Sequence, residues 1–424
     1  MTENYFLSAI NPLANIDQRD AEAAARRIAE SPLGQQALQK VSFMWRRAMG
    51  ADGATEQAWS LFEGAMQEFA FNYILKAVGC DGNYPRVVQN FRPAHRWFGM
   101  DVPGSRIGGD NPDNSYRHIG ITHSARYELD AQTRGRPPAH ASFSLVSNFG
   151  TSKTITAIDS RDMVFEGDGS FQITIDDRPA DGRRNHLTTT PGTKFLYIRD
   201  SMEDWAAESP YSYRITRLDA PTDDPMTEAR IAELAADIMA DDVPLYYWFT
   251  RLPSGLPKNA QASAADSSAT GGLITQAGSL GHYRLRDDEA VIVTVDPAGA
   301  AYSGFVAHDW WFRSIEYWKR TSSLTSSAML PNRNGTRTLV MSNLDPGVHN
   351  WIDPGGLQDL LVYFRWQGLP RVQVRSGPTI AAQCVKISDL GSKLPDDTVL
   401  VTSEQRSAQL AARALAHARR WLDH

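Results

Sequence analysis

The sequence predicts a chain that is mainly β with α. Two tandem jelly-roll-like β-sandwiches are expected, with an N-terminal helical region, a connecting helix and a C-terminal helix. Three observations predict this. Six short alternating runs, each bounded by Gly, Pro, Asp or Asn, lie between residues 125 and 219. A second set runs from His282 to Gly377, and segments with helical spacing stand before, between and after the two sets.

Residues 1–90 read as helices. AEAAARRIAE follows Asp17 and Asp20, either of which could cap it. Trp59, Phe62, Met66, Phe69 and Tyr73 recur at three- and four-residue steps, the apolar stripe of a helix packed on a neighbouring domain. Residues 91–220 form the first β domain, with strands expected at ARYELD, ASFSLVS, KTITAID, FQITID, KFLYIRD and YRITRLD. Residues 221–250 are the connecting helix. In the second β domain, 251–400, a loose QASAADSSATGG stretch reads as a linker before strands that run from HYRLRDDEAVIVTVD to VQVRSG. Residues 401–424 form the last helix.

The two β-rich portions echo each other, which predicts a duplicated domain. ARYEL (125–129) resembles GHYRL (281–285), DGSFQITI (168–175) resembles NGTRTLVM (334–341), and FLYIRD (195–200) resembles LVYFRW (361–366). The last two share one offset and the first is ten shorter. The second copy is therefore expected to carry about ten extra residues near HDWWFRSIEYWKR. Asn185-His186-Leu187 matches Asn350-Trp351-Ile352, one residue out of the flanking register.

Hydrophobic residues make up 42% of the 424 and charged residues 22%, an ordinary globular balance. The net charge of −6 argues against bulk binding of nucleic acid or an anionic membrane. The first 20 residues do not read as a secretory signal, and no window approaches the ~18 apolar residues of a membrane span. A cytoplasmic setting is expected. Cys80 and Cys384 are expected as buried free thiols, and no cysteine cluster suggests structural zinc.

GGDNPDNSYR, the paired β blocks, YWKR after an aromatic cluster, DPGVHNWIDPGG and YFRWQG occur in that order between about residues 105 and 390. Together they resemble the bacterial family called domain of unknown function 1214, often paired with domain of unknown function 1254. The resemblance implies tandem sandwiches similar in shape to double jelly-roll capsid proteins, and no particular reaction. This chain departs from the pattern at RRNHL (183–187), where Asn-Trp is more usual.

Three stretches carry candidate chemistry. In GGDNPDNSYRHIGITH, Asp110, Asn111, Asp113 and Asn114 crowd oxygen ligands, but the spacing of an EF-hand loop is absent, so local caps of turn amides are the simpler reading. Asp113, Tyr116 and Arg117 are candidate substrate-binding residues, with Arg117 and His123 expected on one strand face and His118 on the other. In AHDWWFRSIEYWKR, His308, Asp309, Trp310, Trp311 and Arg313 either line a small-molecule pocket or form an aromatic plug or interface. Here Arg313 and Glu316 are a candidate ion pair.

In DPGVHNWIDPGG, His349 with Asp353 or Asp345 as orienting carboxylate would serve acid-base catalysis, with Glu316, and with Tyr317 or Arg365 as donor to developing negative charge. Trp351 and Arg365 are further binding candidates. A His282, His308, His349 and Asp353 metal set lacks ligand spacing, and neither a metal nor a cofactor is expected. Arg199 and Arg365 stand at equivalent positions and read as a structural pair. The expected function is an enzyme acting on a small, partly apolar or aromatic metabolite by metal-independent acid-base hydrolysis or elimination. The alternatives are a non-catalytic small-molecule or glycan binding module and a capsid-like assembly protein. The expected partner is a small molecule, with no nucleic acid and no membrane, and a homo-oligomer is compatible.

Overall fold

A computed structural model describes residues 5–50, 53–150, 153–267, 276–370 and 377–420. The N-terminal layer contains α1 (Ile16–Glu30), α2 (Pro32–Met49), α3 (Glu56–Ser60) and α4 (Phe62–Val78). The cap of α1 is Asn15, whose side chain accepts the Gln18 amide at 2.8 Å. Neither Asp17 nor Asp20 caps it; Asp17 instead holds the Tyr5 hydroxyl and the Val87 amide. Helix α4 is buried almost all round, which suits the centre of a layered molecule better than a one-sided surface helix. The apolar stripe is split between α3 and α4 by a break at Leu61. The connecting helix α5 (Glu228–Ser254) runs past its expected end at 250, and packs against α2 and α4.

All six strands expected in the first set form, at Tyr127–Gln132, His140–Val146, Thr154–Asp159, Phe171–Asp176, Phe195–Ser201 and Ser212–Arg217. Asn114–Gly120 and the short His186–Thr188 complete eight. The second set matches them with Gln276–Arg284, Glu289–Val295, Tyr302–His308, Ser323–Thr325, Arg337–Met341, Trp351–Ile352, Asp359–Gln367 and Ile380–Lys386. Numbered in chain order within each copy, one sheet runs 1-7-3-4 and the other 8-2-5-6, and the order is the same in both copies. The chain thus passes repeatedly between facing sheets, as in a jelly roll. One pair in each copy, strands 5 and 6, is parallel. Short strands at Val88–Asn90 and Ala260–Gln261 extend strand 1 of each copy. The expected linker is therefore partly edge strand. Its residues 268–272 and the VQVRS run at 372–376 lie outside the described residues. The closing helices are α6 (Leu390–Lys393) and α7 (Ser403–Ala418), the latter opened by a Thr402–Gln405 capping box.

The pairing register aligns the copies independently of sequence. His140 and Tyr302 take the same place on strand 3 (302 − 140 = 162), and Asp159 and Thr325 the same place on strand 4 (325 − 159 = 166). The insertion is where it was expected, between strands 3 and 4, but it adds four residues rather than ten. The error lies in the first echo: ARYEL sits on strand 2 of its copy, whereas GHYRL ends strand 1 of the other. A Tyr in an alternating run fits many strands, so that match had little power. The Asn185-His186-Leu187 match holds, since Thr174 pairs with His186 as Val340 pairs with Trp351.

Each sandwich has its own apolar core. The first also encloses an ion pair: Arg117, from strand 1, meets Asp200, from strand 7, at 2.6 Å. Asp200 also accepts the Tyr213 hydroxyl and the Tyr211 amide, and the Arg117 guanidinium lies over the Tyr213 ring. A guanidinium this occupied is scaffold, so Arg117 is not a ligand contact. Its expected face-mate His123 lies beyond the strand and bonds Thr189. Asp200→Ala strands a buried cation, which costs about 3–5 kcal/mol. Chemical denaturation of the variant checks this, and an unchanged midpoint would refute it.

Candidate functional site

The loop DPGVHNWIDPGG docks the C-terminal helix. Arg406 of α7 pairs with Asp345, donates to the carbonyls of Val348 and His349, and lies over the Trp351 ring. Trp351 is core and donates its Nε1–H to the Ser342 carbonyl. His349 Nδ1 lies 3.0 Å from the Asn350 side-chain oxygen. Asp353 does not orient His349, because its carboxylate accepts from the Gly355 amide and from Arg320. Glu316 binds Arg320 and Lys319 on the same surface, and so does not pair with Arg313. His349, Asp353 and Glu316 therefore form no dyad.

The insertion resolves into an aromatic plug and a second aromatic cluster around Tyr317. Trp311 packs edge-on against Trp45, Trp59 and Phe62 and donates to the Ala58 carbonyl. Trp310 packs on His282, and with Trp311 and Phe312 joins the core of the helical layer. These tryptophans therefore form the plug, and Trp311 with Arg313 also lines a small pocket against Trp45, Phe69 and Tyr246. Arg313 bridges Asp309 and Glu68 of α4, and Arg106 grips the same glutamate. His308 turns Nε2 to the Asp110 carbonyl, and burial presses its pKa down to about 3, so it is neutral.

Beyond the plug, Tyr317 and Trp318 face another set of groups. The Tyr317 ring packs edge-on to Trp205, Trp318 and His417, at 6.1, 5.4 and 5.4 Å. The residue is 3% exposed. Its hydroxyl makes no hydrogen bond with any described residue. Two guanidiniums of the C-terminal segment lie over the Trp205 ring, Arg413 at 4.2 Å and Arg420 at 4.4 Å. Arg106 stands over Trp318. Burial lowers Arg413 and Arg420 to about 10, still charged at neutral pH. Arg413 and the two tryptophans nevertheless keep partial exposure. Arg413 is held by the Tyr317 carbonyl and the Ser323 hydroxyl, and Arg420 by the Pro112 carbonyl with Nη2 left unpartnered.

The GGDNP loop borders this cluster. Asp110 accepts the Ser314 amide and hydroxyl, and Asp113 accepts the Tyr302 hydroxyl and the Trp205 indole N–H. The Asn111 side chain caps the Asp113 amide. Its oxygens thus serve turns and cross-links, and among the described residues no three His, Cys, Asp or Glu side chains gather as a metal would need. Tyr116 and Arg365 belong to the neighbouring sheet faces, where Arg365 lies over Tyr363 and donates to the Gly109 carbonyl. Cys80 and Cys384 are unpaired and half-buried rather than buried, and burial pushes Cys80 up to about 12.

Sequence reading missed Trp205, Arg106, Arg413 and Arg420. Trp205 lies in a loop without a motif. The two arginines of the last helix look like ordinary surface cations on an Ala-rich helix. Only the docking of α7 through Arg406 brings them inside.

Asp110 is raised from 3.8 to about 6, chiefly by burial, against the pull of its Ser314 bonds and Arg106. The folded state therefore holds the proton longer than the unfolded chain. Its contribution is complete below about pH 4 and lost as pH rises through 6, of order 3 kcal/mol. Asp110→Asn should flatten that part of the stability profile in denaturation at stepped pH, and an unaltered slope between pH 4 and 6 would count against it.

No family model matches the chain, and no curated protein is similar to it. An uncharacterised protein from Burkholderia cenocepacia has a crystal structure similar to this one, with a TM-score of 0.69 at 20% identity, covering 86% of this chain and 100% of the other. The likeness is one of fold. The VPA0106 protein from Vibrio parahaemolyticus matches at a TM-score of 0.37 and 12% identity, over 76% of this chain and 99% of the other, too distant to carry an argument. The chain thus shares its mainly β architecture with a solved protein whose activity is not named.

Proposed function

We propose that the protein is an enzyme acting on a small anionic metabolite with an apolar or aromatic part. The chemistry is metal-independent acid-base hydrolysis or elimination, and the site is the Tyr317 cluster. One observation carries the reading: on a tyrosine whose ring is buried, a hydroxyl with no hydrogen bond to a described residue stands among guanidiniums and indole rings. Burial and the nearby Asp110 carboxylate raise the Tyr317 pKa, against the opposing pull of Arg106, Arg420 and Arg92. The phenol therefore keeps its proton and suits the role of donor to a leaving group or a developing oxyanion. Arg413 and Arg420 would hold a carboxylate, and Trp205 and Trp318 its apolar body. The resemblance to domain of unknown function 1214 and a cytoplasmic setting, suited to two unpaired cysteines, belong to the same reading.

A binding module without chemistry is the second reading. It is favoured by the fact that each carboxylate near the cluster already has partners, Asp110 on Ser314, Asp113 on Tyr302 and Trp205, and Glu68 on Arg106 and Arg313.

The test is a panel of carboxylate-bearing p-nitrophenyl esters and aromatic hydroxy acids, followed by Tyr317→Phe. The variant should fold normally, since the hydroxyl holds nothing, and lose about 10²–10⁴-fold in kcat with KM little changed. His349→Ala and Glu316→Gln should retain turnover. If the wild type turns over no member of the panel, or Tyr317→Phe keeps full kcat on one that it does, this reading fails.

A further inference from the structure

Equivalent strands of the two sandwiches carry the equivalent arginines Arg199 and Arg365, each lying over the tyrosine two residues before it, at 4.2 Å from Tyr197 and 3.6 Å from Tyr363. Neither has a carboxylate partner among the described residues. Arg365 is 5% exposed, spends one nitrogen on the Gly109 carbonyl and leaves Nη1 buried without a partner. Arg199 is half-buried and makes no hydrogen bond to a described residue. The two are linked through one short path. Arg199 is the direct cross-strand neighbour of Tyr116, whose hydroxyl accepts the Asn111 amide, two residues from the carbonyl that Arg365 holds. Both guanidiniums lower the cost of charge on the Tyr116 hydroxyl, against the larger effect of its burial.

Other unsatisfied groups share this sheet face. Ser142 is the cross-strand partner of Arg199 on its other side, and Ser144 that of Tyr197. Both serines are buried and both hydroxyls lack partners. The corresponding positions of the second copy are Gly304 and Val306, so the polar lining is peculiar to the first copy. Tyr116 and Tyr197 stack at 6.0 Å, and Phe91 closes on Tyr116 at 4.8 Å, so the walls are flat and aromatic.

Two guanidiniums without acids, one ending in an unpaired buried nitrogen, beside two idle hydroxyls, are what an anion site looks like before its anion arrives. We infer that the Arg199–Arg365 junction binds a small organic carboxylate, its charge on the two arginines and serines and its flat apolar body against Tyr116 and Tyr197. Guanidiniums and hydroxyls would take a phosphate as well, but the aromatic walls give an inorganic ion nothing to pack on. The inference stands apart from the Tyr317 reading and does not need it.

Benzoate is the probe, with chloride and inorganic phosphate at matched ionic strength as controls. Benzoate should raise the melting temperature of the whole protein saturably, and neither control should match it. Arg199→Gln is the decisive variant, because Arg199 makes no hydrogen bond or ion pair to a described residue and its replacement breaks none. It should weaken benzoate at least about tenfold by calorimetric titration. No benzoate-specific rise, an equal rise with phosphate, or an unweakened Arg199→Gln would each overturn the inference.

Discussion

The structure depends on the loop from Gly108 to Asn114, through which the helical layer and both sandwiches are joined. Gly108 and Gly109 both have positive φ, and a side chain on either would collide: a Cβ at Gly108 would run into the Tyr246 ring, and one at Gly109 would lie 2.8 Å from Phe312. The amide of Gly109 bonds the Phe312 carbonyl, and its own carbonyl takes Arg365. Asp110 then fixes Ser314, Asn111 and Asp113 meet at the Tyr302 hydroxyl, and Asp113 reaches Trp205. Seven residues thus place the plug, the second sheet and the Tyr317 cluster relative to one another. The loop's Asp and Asn side chains are spent on this joining.

Duplication explains why arginines of both copies gather near one loop. The two copies kept strand order, the parallel strand 5–6 pair and the arginine over tyrosine on strand 7. They parted at strands 3 and 4. The second copy gained residues there, and these became the aromatic plug and the Tyr317 wall. It also placed Gly304 where the first copy has Ser142, and at Gly304 a side chain would meet the Tyr302 hydroxyl and the Asp113 carboxylate. The second copy traded polar lining for close packing, and the first kept its serines.

Much of the fold was legible because strands and helices announce themselves locally. FQITID alternates, Thr402 and Gln405 cap reciprocally, and Gly, Pro, Asp or Asn bounds each run of the first set. The site was less so, because its parts are far apart in sequence. Tyr317 was a candidate from its aromatic setting, yet the rings beside it come from residue 205 and residue 417. His349 and Asp353 stood out as an acid-base pair by type and spacing. Spacing could not say that Arg320 would claim the aspartate, or that Arg406 would turn the whole loop into a dock for α7.

The buried arginines fall into two classes, and the distinction carries physical weight. Arg92, Arg106, Arg117 and Arg313 are each paired with a glutamate or aspartate. Removing either partner of such a pair leaves a stranded charge, so these groups hold the fold and are poorly suited to exchange partners with a ligand. Arg199, Arg365, Arg413 and Arg420 have only carbonyls, hydroxyls or rings against them. Carbonyl dipoles, and for Arg413 and Arg420 the nearby Asp113 carboxylate, make such burial tolerable without a direct ion pair. Paired arginines therefore mark scaffold, and both proposals above rest on the unpaired ones. Those lie along the junction of the two sandwiches and the last helix, away from the half-exposed loops where histidines and carboxylates first draw the eye.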